Sequence, residues 1–211
     1  MYEIDSVLDY DPLTSGTNLL VSGPPISGKR RLALSLVAAG AATGDSAILV
    51  STRDSAGKIA RAYESVTGDE ITGRPIGVVD CVTKRHGTAM DDDGRVKYAS
   101  SPIDMTGIGI SLSEFLEEFH GTRGIERNRV LLHSLSTLLL YSDLQTAFQF
   151  LHVFTSRVKD ADALGVYVVD STAHDRQTMN TLKQLFDDMI EVEDPEDGSE
   201  DPIVGRATLS E

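Results

Sequence analysis

Tryptophan is absent from this chain of 211 residues, and cysteine occurs once. With Cys81 alone, no intrachain disulfide can form, and a reducing compartment is expected. Long apolar runs are also lacking. The longest, Val130–Tyr141, is too short to span a bilayer and is interrupted by His133, Ser134 and Ser136, which excludes a membrane protein. The opening residues, Met1-Tyr-Glu-Ile-Asp5, carry acid with no apolar stretch behind it, so no signal peptide is expected and the location read is cytoplasmic. Metal-binding patterns are missing too. His86, His120, His133, His152 and His174 show no ligand spacing with Cys81 or with carboxylates, so no zinc site is read. Gly107-Ile-Gly109 lacks the third glycine of a dinucleotide fingerprint, and no Gly-x-Ser-x-Gly elbow stands behind Ser134 or Ser136.

Positive charge is scarce. The chain has 33 acidic and 19 basic residues, a net charge of −14, and only six of the basic residues are lysine. Such a surface repels nucleic acid and anionic membranes at ordinary salt. High acid with little lysine points to a halophilic host, where salt screens the self-repulsion. Nucleic acid is therefore disfavoured as a partner but left open, and a membrane is not expected.

Short apolar runs alternate with helical periodicity, the pattern of an α/β fold with a mainly parallel sheet covered on both faces. Strands are expected at Thr17–Ser22, Ala47–Ser51, Pro75–Val79, Arg129–His133 and Leu164–Val169, each dominated by Val, Ile, Leu and other small or apolar residues. A helix follows the first of these over Arg30–Ala39. Asp54 or Ser55 is expected to cap a helix carrying Ile59, Tyr63 and Val66. Ser111-Leu-Ser-Glu114 and Ser142-Asp-Leu-Gln145 read as capping boxes ahead of two amphipathic helices. Met179, Leu182, Leu185 and Phe186 mark a last helix. Met90–Gly94 and Glu191–Asp201 read as acidic, solvated segments, with Ile203–Ser210 able to return as an edge strand. One domain over 1–192 and an acidic tail over 193–211 are expected.

The most informative residues are Gly23, Pro24, Pro25, Ile26, Ser27, Gly28, Lys29 and Arg30. They lie between an expected strand and an expected helix, the setting of a phosphate-binding loop. A turn bounded by glycines can converge its backbone N–H groups on an anion. The helix N-terminus then adds free N–H groups and partial positive charge, and Lys29 supplies a mobile cation. A complete loop places Ser or Thr at the eighth position to hold Mg2+. Arg30 stands there instead, and a guanidinium has no lone pair to offer a metal.

Leu13 to Arg30 and Arg129-Val-Leu-Leu-His-Ser-Leu-Ser-Thr-Leu138 resemble the two nucleotide motifs of the KaiC/RadA group of RecA-superfamily ATPases, best represented in archaea and cyanobacteria. The resemblance runs loosely over residues 8–192. It implies a RecA-like fold, ATP or ADP as ligand, and an oligomer with nucleotide at the subunit boundary. It also implies a degenerate member. The magnesium hydroxyl is replaced by Arg30, the metal-holding Asp of the second motif by His133, and the water-activating Glu pair by Arg53-Asp54; Ile26 replaces the loop's middle glycine. Asp54, Asp80 and Asp170 each follow a strand, so each can approach a ligand at the sheet's carboxyl edge, or simply cap a turn. His133 itself reads first as a hydrogen-bonded core residue.

These readings converge on a nucleotide-binding regulatory protein, a pseudo-ATPase with doubtful magnesium and little hydrolysis, acting with a homo-oligomer or protein partner. Two alternatives stay open. One is an active ATPase or kinase with rearranged acids, Asp54 and Asp170 being the candidates. The other is a protein-interaction module that kept the fold and lost the ligand.

Overall fold

A computed structural model describes residues 1–68, 70–84, 94–193 and 203–207. The expected strands all form, each within one residue of its expected limits. They are β1 (Asn18–Gly23), β2 (Ser46–Ser51), β3 (Ile76–Asp80), β5 (Asn128–His133) and β6 (Leu164–Asp170). Three more strands join them: β4 (Val96–Tyr98), β7 (Asp188–Glu193) and β8 (Ile203–Ala207). The sheet runs β4-β3-β2-β5-β6-β1-β7-β8. Its first seven strands are parallel, and β8 closes one edge antiparallel to β7.

Alternate residues of the central strands feed two cores, as a period of two requires. Leu19 and Val21 face the side covered by α1 (Lys29–Ala38) and α2 (Ala56–Thr67). Leu20 faces the other side, with Phe115, Phe154 and Tyr167, beneath α3 (Met105–Leu116), α4 (Leu135–Tyr141), α5 (Leu144–Asp160) and α6 (Arg176–Lys183). Burial on both faces accounts for the unbroken apolar character of β1, β2, β5 and β6. Cys81 is fully buried on that second side, and burial pushes its thiol pKa up. Among the described residues no helix is long and apolar enough to cross a membrane.

Several local expectations need correction. The segment from Glu191 is not wholly solvated: Glu191–Glu193 complete β7, which pairs with β1 through Leu19–Ser22. Ile190 and Val192 are buried on the α1 side and Met189 on the opposite side, while Glu191 and Glu193 are exposed. Residues 194–202 lie outside the described residues, as do 85–93 with His86 and most of the Met90–Gly94 segment. The expected edge strand forms over Ile203–Ala207.

Ser111 caps nothing. It is buried inside α3, which starts at Met105 behind the N-cap Asp104, whose Oδ1 accepts from Gly107 N at 2.9 Å. Gly107 and Gly109 thus sit in the first turns of a helix, where each costs about 1 kcal/mol against alanine. A Cβ on Gly107 would lie 2.5 Å from Asp104 Oδ2, so the cap itself needs this glycine. Asp143, one residue beyond Ser142, caps α5. Ser142 instead donates to Leu138 O at the end of α4.

Neither Asp54 nor Ser55 caps α2 through its side chain. Ser55 occupies the N-cap position without a side-chain bond, and the Ala56 N–H donates to Asp80 Oδ2 at 2.7 Å. α6 is capped by Asp175 and ends at Lys183, so Leu185 and Phe186 follow it rather than belong to it.

Candidate functional site

Parallel strands end together, so the segments after β1, β2, β5 and β6 meet at one edge of the sheet. In open parallel sheets this is where ligands sit. A cleft of about 1200 Å3 opens there. Pro25, Ile26, Gly28, Lys29 and Arg30 of the expected phosphate loop line it, together with Arg53, Asp54, His133 and Asp170. The structure therefore brings together residues from four separated stretches of the chain.

Gly23 ends β1 with its backbone pinned. Its carbonyl accepts from Ser171 N at 2.9 Å, and an added Cβ would lie 2.5 Å from Val192 O and 2.8 Å from Ser27 Oγ. Ser27 N donates to Pro24 O, which closes the turn. Gly28, at φ +82°, delivers the chain into α1 through the left-handed region that glycine adopts without steric cost. α1 carries no acidic residue in its first turn, so its free N–H groups and positive end are uncompensated there. Lys29 Nζ folds back to donate to Pro24 O.

Ile26 takes φ +69° with its side chain wholly exposed. A β-branched residue in this region is strained by about 1–3 kcal/mol, and here no packing offsets it. Ile26→Gly is expected to raise stability by about 1 kcal/mol in urea unfolding, because strain is relieved and no contact is lost. A lower midpoint would contradict the strain.

Behind the loop lies an ion cluster. Arg30 Nη2 meets Asp54 Oδ2 at 2.9 Å, and Lys58, in the first turn of α2, meets Asp54 Oδ1 at 2.5 Å. Asp54 is only 4% exposed. Burial acts to raise its pKa, but the Lys58 hydrogen bond and the Arg30 charge outweigh it and hold the carboxyl below the usual range. The Arg30 contact is close but out of line for hydrogen bonding: Arg30 Nε and Nη2 and Asp54 Oδ2 are buried without a hydrogen-bond partner. Ser27 Oγ and His133 Nδ1 are buried and unpartnered as well. The expectation of a hydrogen-bonded core histidine therefore fails at Nδ1.

His133 is 3% exposed, and burial, reinforced by Arg30, pushes its pKa down from 6.5 to about 4. The unfolded chain binds this proton more readily than the native state does. Stability is therefore highest above about pH 6.5 and falls as the pH drops towards about 4. The loss reaches at most about 3 kcal/mol. His133→Asn is expected to flatten that part of the pH–stability profile in denaturant titrations; a profile as steep as that of the parent would contradict it.

The remaining strand-end residues divide. Asp80 does not line the cleft; both its oxygens serve turns, accepting from Ala56 N, Val82 N, Thr83 N and Thr83 Oγ1. Asp170 lines the cleft but accepts from Thr172 N and Oγ1. Thr52 and Ser134 lock the ends of β2 and β5 together: Ser134 N donates to Thr52 Oγ1, which donates to Ser134 O. Sequence reasoning missed a Ser–His contact on the cleft wall. Ser136 Oγ accepts from Asp170 N at 2.9 Å and lies 3.0 Å from His174 Nε2. Only the fold brings these positions together, and no spacing rule could have found them.

Charge in the cleft opposes that of the chain. Lys29, Arg30, Arg31, Arg53 and Lys58 line it against the two carboxylates of Asp54 and Asp170, in a protein of net charge −14. A wall of this sign attracts anions. Among the described residues no three His, Cys, Asp or Glu side chains gather to hold a metal ion.

The sheet order, with its loop at the carboxyl edge, is that of a RecA-like α/β fold. The chain belongs to DUF7504, a family of unknown function, whose model matches residues 16–192. No curated protein matches it by sequence. Among solved structures it is similar to an uncharacterized protein of Pyrococcus horikoshii in complex with an unknown peptide, with a TM-score of 0.72 at 12% identity, covering 94% of this chain and 85% of that one. It is also similar to a KaiC-like protein of Pyrococcus horikoshii OT3, with a TM-score of 0.62 at 14% identity, covering 98% and 85%. A third is the flagellar accessory protein FlaH of Methanocaldococcus jannaschii, with a TM-score of 0.54 at 14% identity, covering 94% and 80%. At these identities the likeness is one of fold.

Proposed function

We propose that the protein is a nucleotide-binding regulatory pseudo-ATPase, which holds ATP or ADP in the cleft at Gly23–Arg30 with little or no hydrolysis. The observation that carries this reading is the Arg30–Asp54–Lys58 cluster. Asp54 is the one carboxylate left at the positions where the resembling ATPases keep their catalytic acids, and two cations hold it. A carboxylate so compensated is a poor general base and a poor metal ligand.

A polyphosphate fits the residues present. The start of α1, Lys29 and the unpartnered buried groups of Arg30 and His133 line the cleft on the side where the cations lie. Magnesium does not fit: position 30 has no hydroxyl, position 133 has no carboxylate, and Asp54 is already paired. Binding is then metal-independent, with Arg30 neutralising phosphate charge. Exposed Ile26, Leu140 and Tyr141 on the same cleft support a regulatory output through a protein partner or a second copy that reads the loaded state.

ATP or ADP in high KCl with EDTA is expected to raise the melting temperature, since a ligand bound only by the native state must stabilise it. Phosphate release is expected to stay at background. Turnover above background, lost in both Lys29→Ala and Asp54→Asn, would establish an active enzyme instead.

A further inference from the structure

We propose that Arg30 binds the ligand's phosphate by leaving Asp54, so that the Arg30–Asp54 pair is the resting lock of the cleft and Asp54 competes with phosphate for one guanidinium. The inference rests on the nucleotide-binding reading and deepens it. The resting pair is close, at 2.9 Å, yet leaves Arg30 Nε, Arg30 Nη2 and Asp54 Oδ2 buried without hydrogen bonds. A guanidinium presents a planar fork that a phosphate can satisfy with two aligned bonds, which Asp54 does not provide here. The exchange does not strand Asp54. Lys58, in the first turn of α2, stays 2.5 Å away, so the buried carboxylate keeps a counter-charge when Arg30 departs.

A second observation marks the same spot as a binding site. His133 is 97% buried, by its 3% exposure, lines the cleft, and has an unpartnered Nδ1. Beneath the loop, Ser27 Oγ is equally buried and unpartnered. Four residues thus hold unsatisfied polar atoms around the start of α1, a density that folded interiors do not tolerate without a use. The lock also joins two elements. Arg30 belongs to α1 and Asp54 to the turn before α2, and these helices pack against each other. Phosphate capture therefore removes a tie between α1 and α2.

A double-mutant cycle tests the lock, with ATP titrated calorimetrically into the full chain in high KCl and EDTA. The four proteins are the parent, Asp54→Asn, Arg30→Gln and the double variant. Arg30→Gln is expected to weaken ATP binding about tenfold or more. Asp54→Asn is expected to tighten it about fivefold in the parent and to change it less than about twofold in the Arg30→Gln background. An equal gain in both backgrounds would mean that Asp54 acts only as a nearby negative charge, and overturns the lock while leaving nucleotide binding intact. No binding to any of the four proteins overturns the nucleotide reading and the lock with it.

Discussion

Arg30→Thr combined with His133→Asp is expected to convert metal-independent nucleotide binding into magnesium-dependent binding. Arg30 and His133 flank the same buried carboxylate, Asp54, and both line the cleft. The double change removes a guanidinium and an imidazole, then installs a hydroxyl and a second carboxylate. Hydroxyl and carboxylate oxygens are the hard ligands that Mg2+ accepts, and bound phosphates supply the rest. Affinity for ATP with Mg2+ should exceed that with EDTA by about tenfold or more, against about no difference in the parent. The carboxylate introduced at position 133 would sit where burial disfavours its charge, so some loss of stability without ligand is expected as well. A folded double variant that binds ATP equally with and without Mg2+ would show that the obstacle lies elsewhere than in these two side chains.

Gly23→Val is expected to have the largest effect of any single change in the loop. The new Cβ would lie 2.5 Å from Val192 O and 2.8 Å from Ser27 Oγ, and neither the β7 backbone nor the closed turn can yield easily. Gly23 is held from its other side by the bond from Ser171 N, so the strand cannot shift away. Overpacking of this kind costs about 1–3 kcal/mol, or on the order of 2–12 °C in melting temperature for a domain of this size. Because Ser27 belongs to the loop, its displacement should cost nucleotide binding too. Lys29→Ala separates the two effects: it removes the cation of the loop and should abolish binding with only a small change in melting temperature. If Gly23→Val melts like the parent, the close approach of β1 to β7 is wrong.

Much of this architecture is legible because burial on both faces writes itself into composition. β1, β2, β3, β5 and β6 read correctly from Val, Ile and Leu alone. β7 does not, because Asp188, Glu191 and Glu193 dilute its three buried apolar residues, and a run so rich in acid looks like a solvated tail. The start of α3 reads too late because Gly107 and Gly109 disguise its first turns, while the cap that supports them, Asp104, bonds in a pattern that a Ser-x-x-Glu search passes over.

The candidate site divides in the same way. Gly23, Gly28 and Lys29 sit in sequence with the strand and helix that use them, so their role is local and readable. Asp54 is different. Its residue type invites an N-cap role, but that position is served by Asp80 from the neighbouring strand, and Asp54 turns to Arg30 and Lys58. The pairs Arg30–Asp54 and Ser136–His174 are tertiary, joining residues 24 and 38 positions apart, and no periodicity encodes them.

The most direct test of a cleft that binds phosphate without metal is calorimetric titration of ATP into the parent protein in high KCl, once with EDTA and once with Mg2+. The expected result is binding in both, with dissociation constants within about threefold of each other. Binding that disappears on chelation, or heat in neither titration, would contradict it.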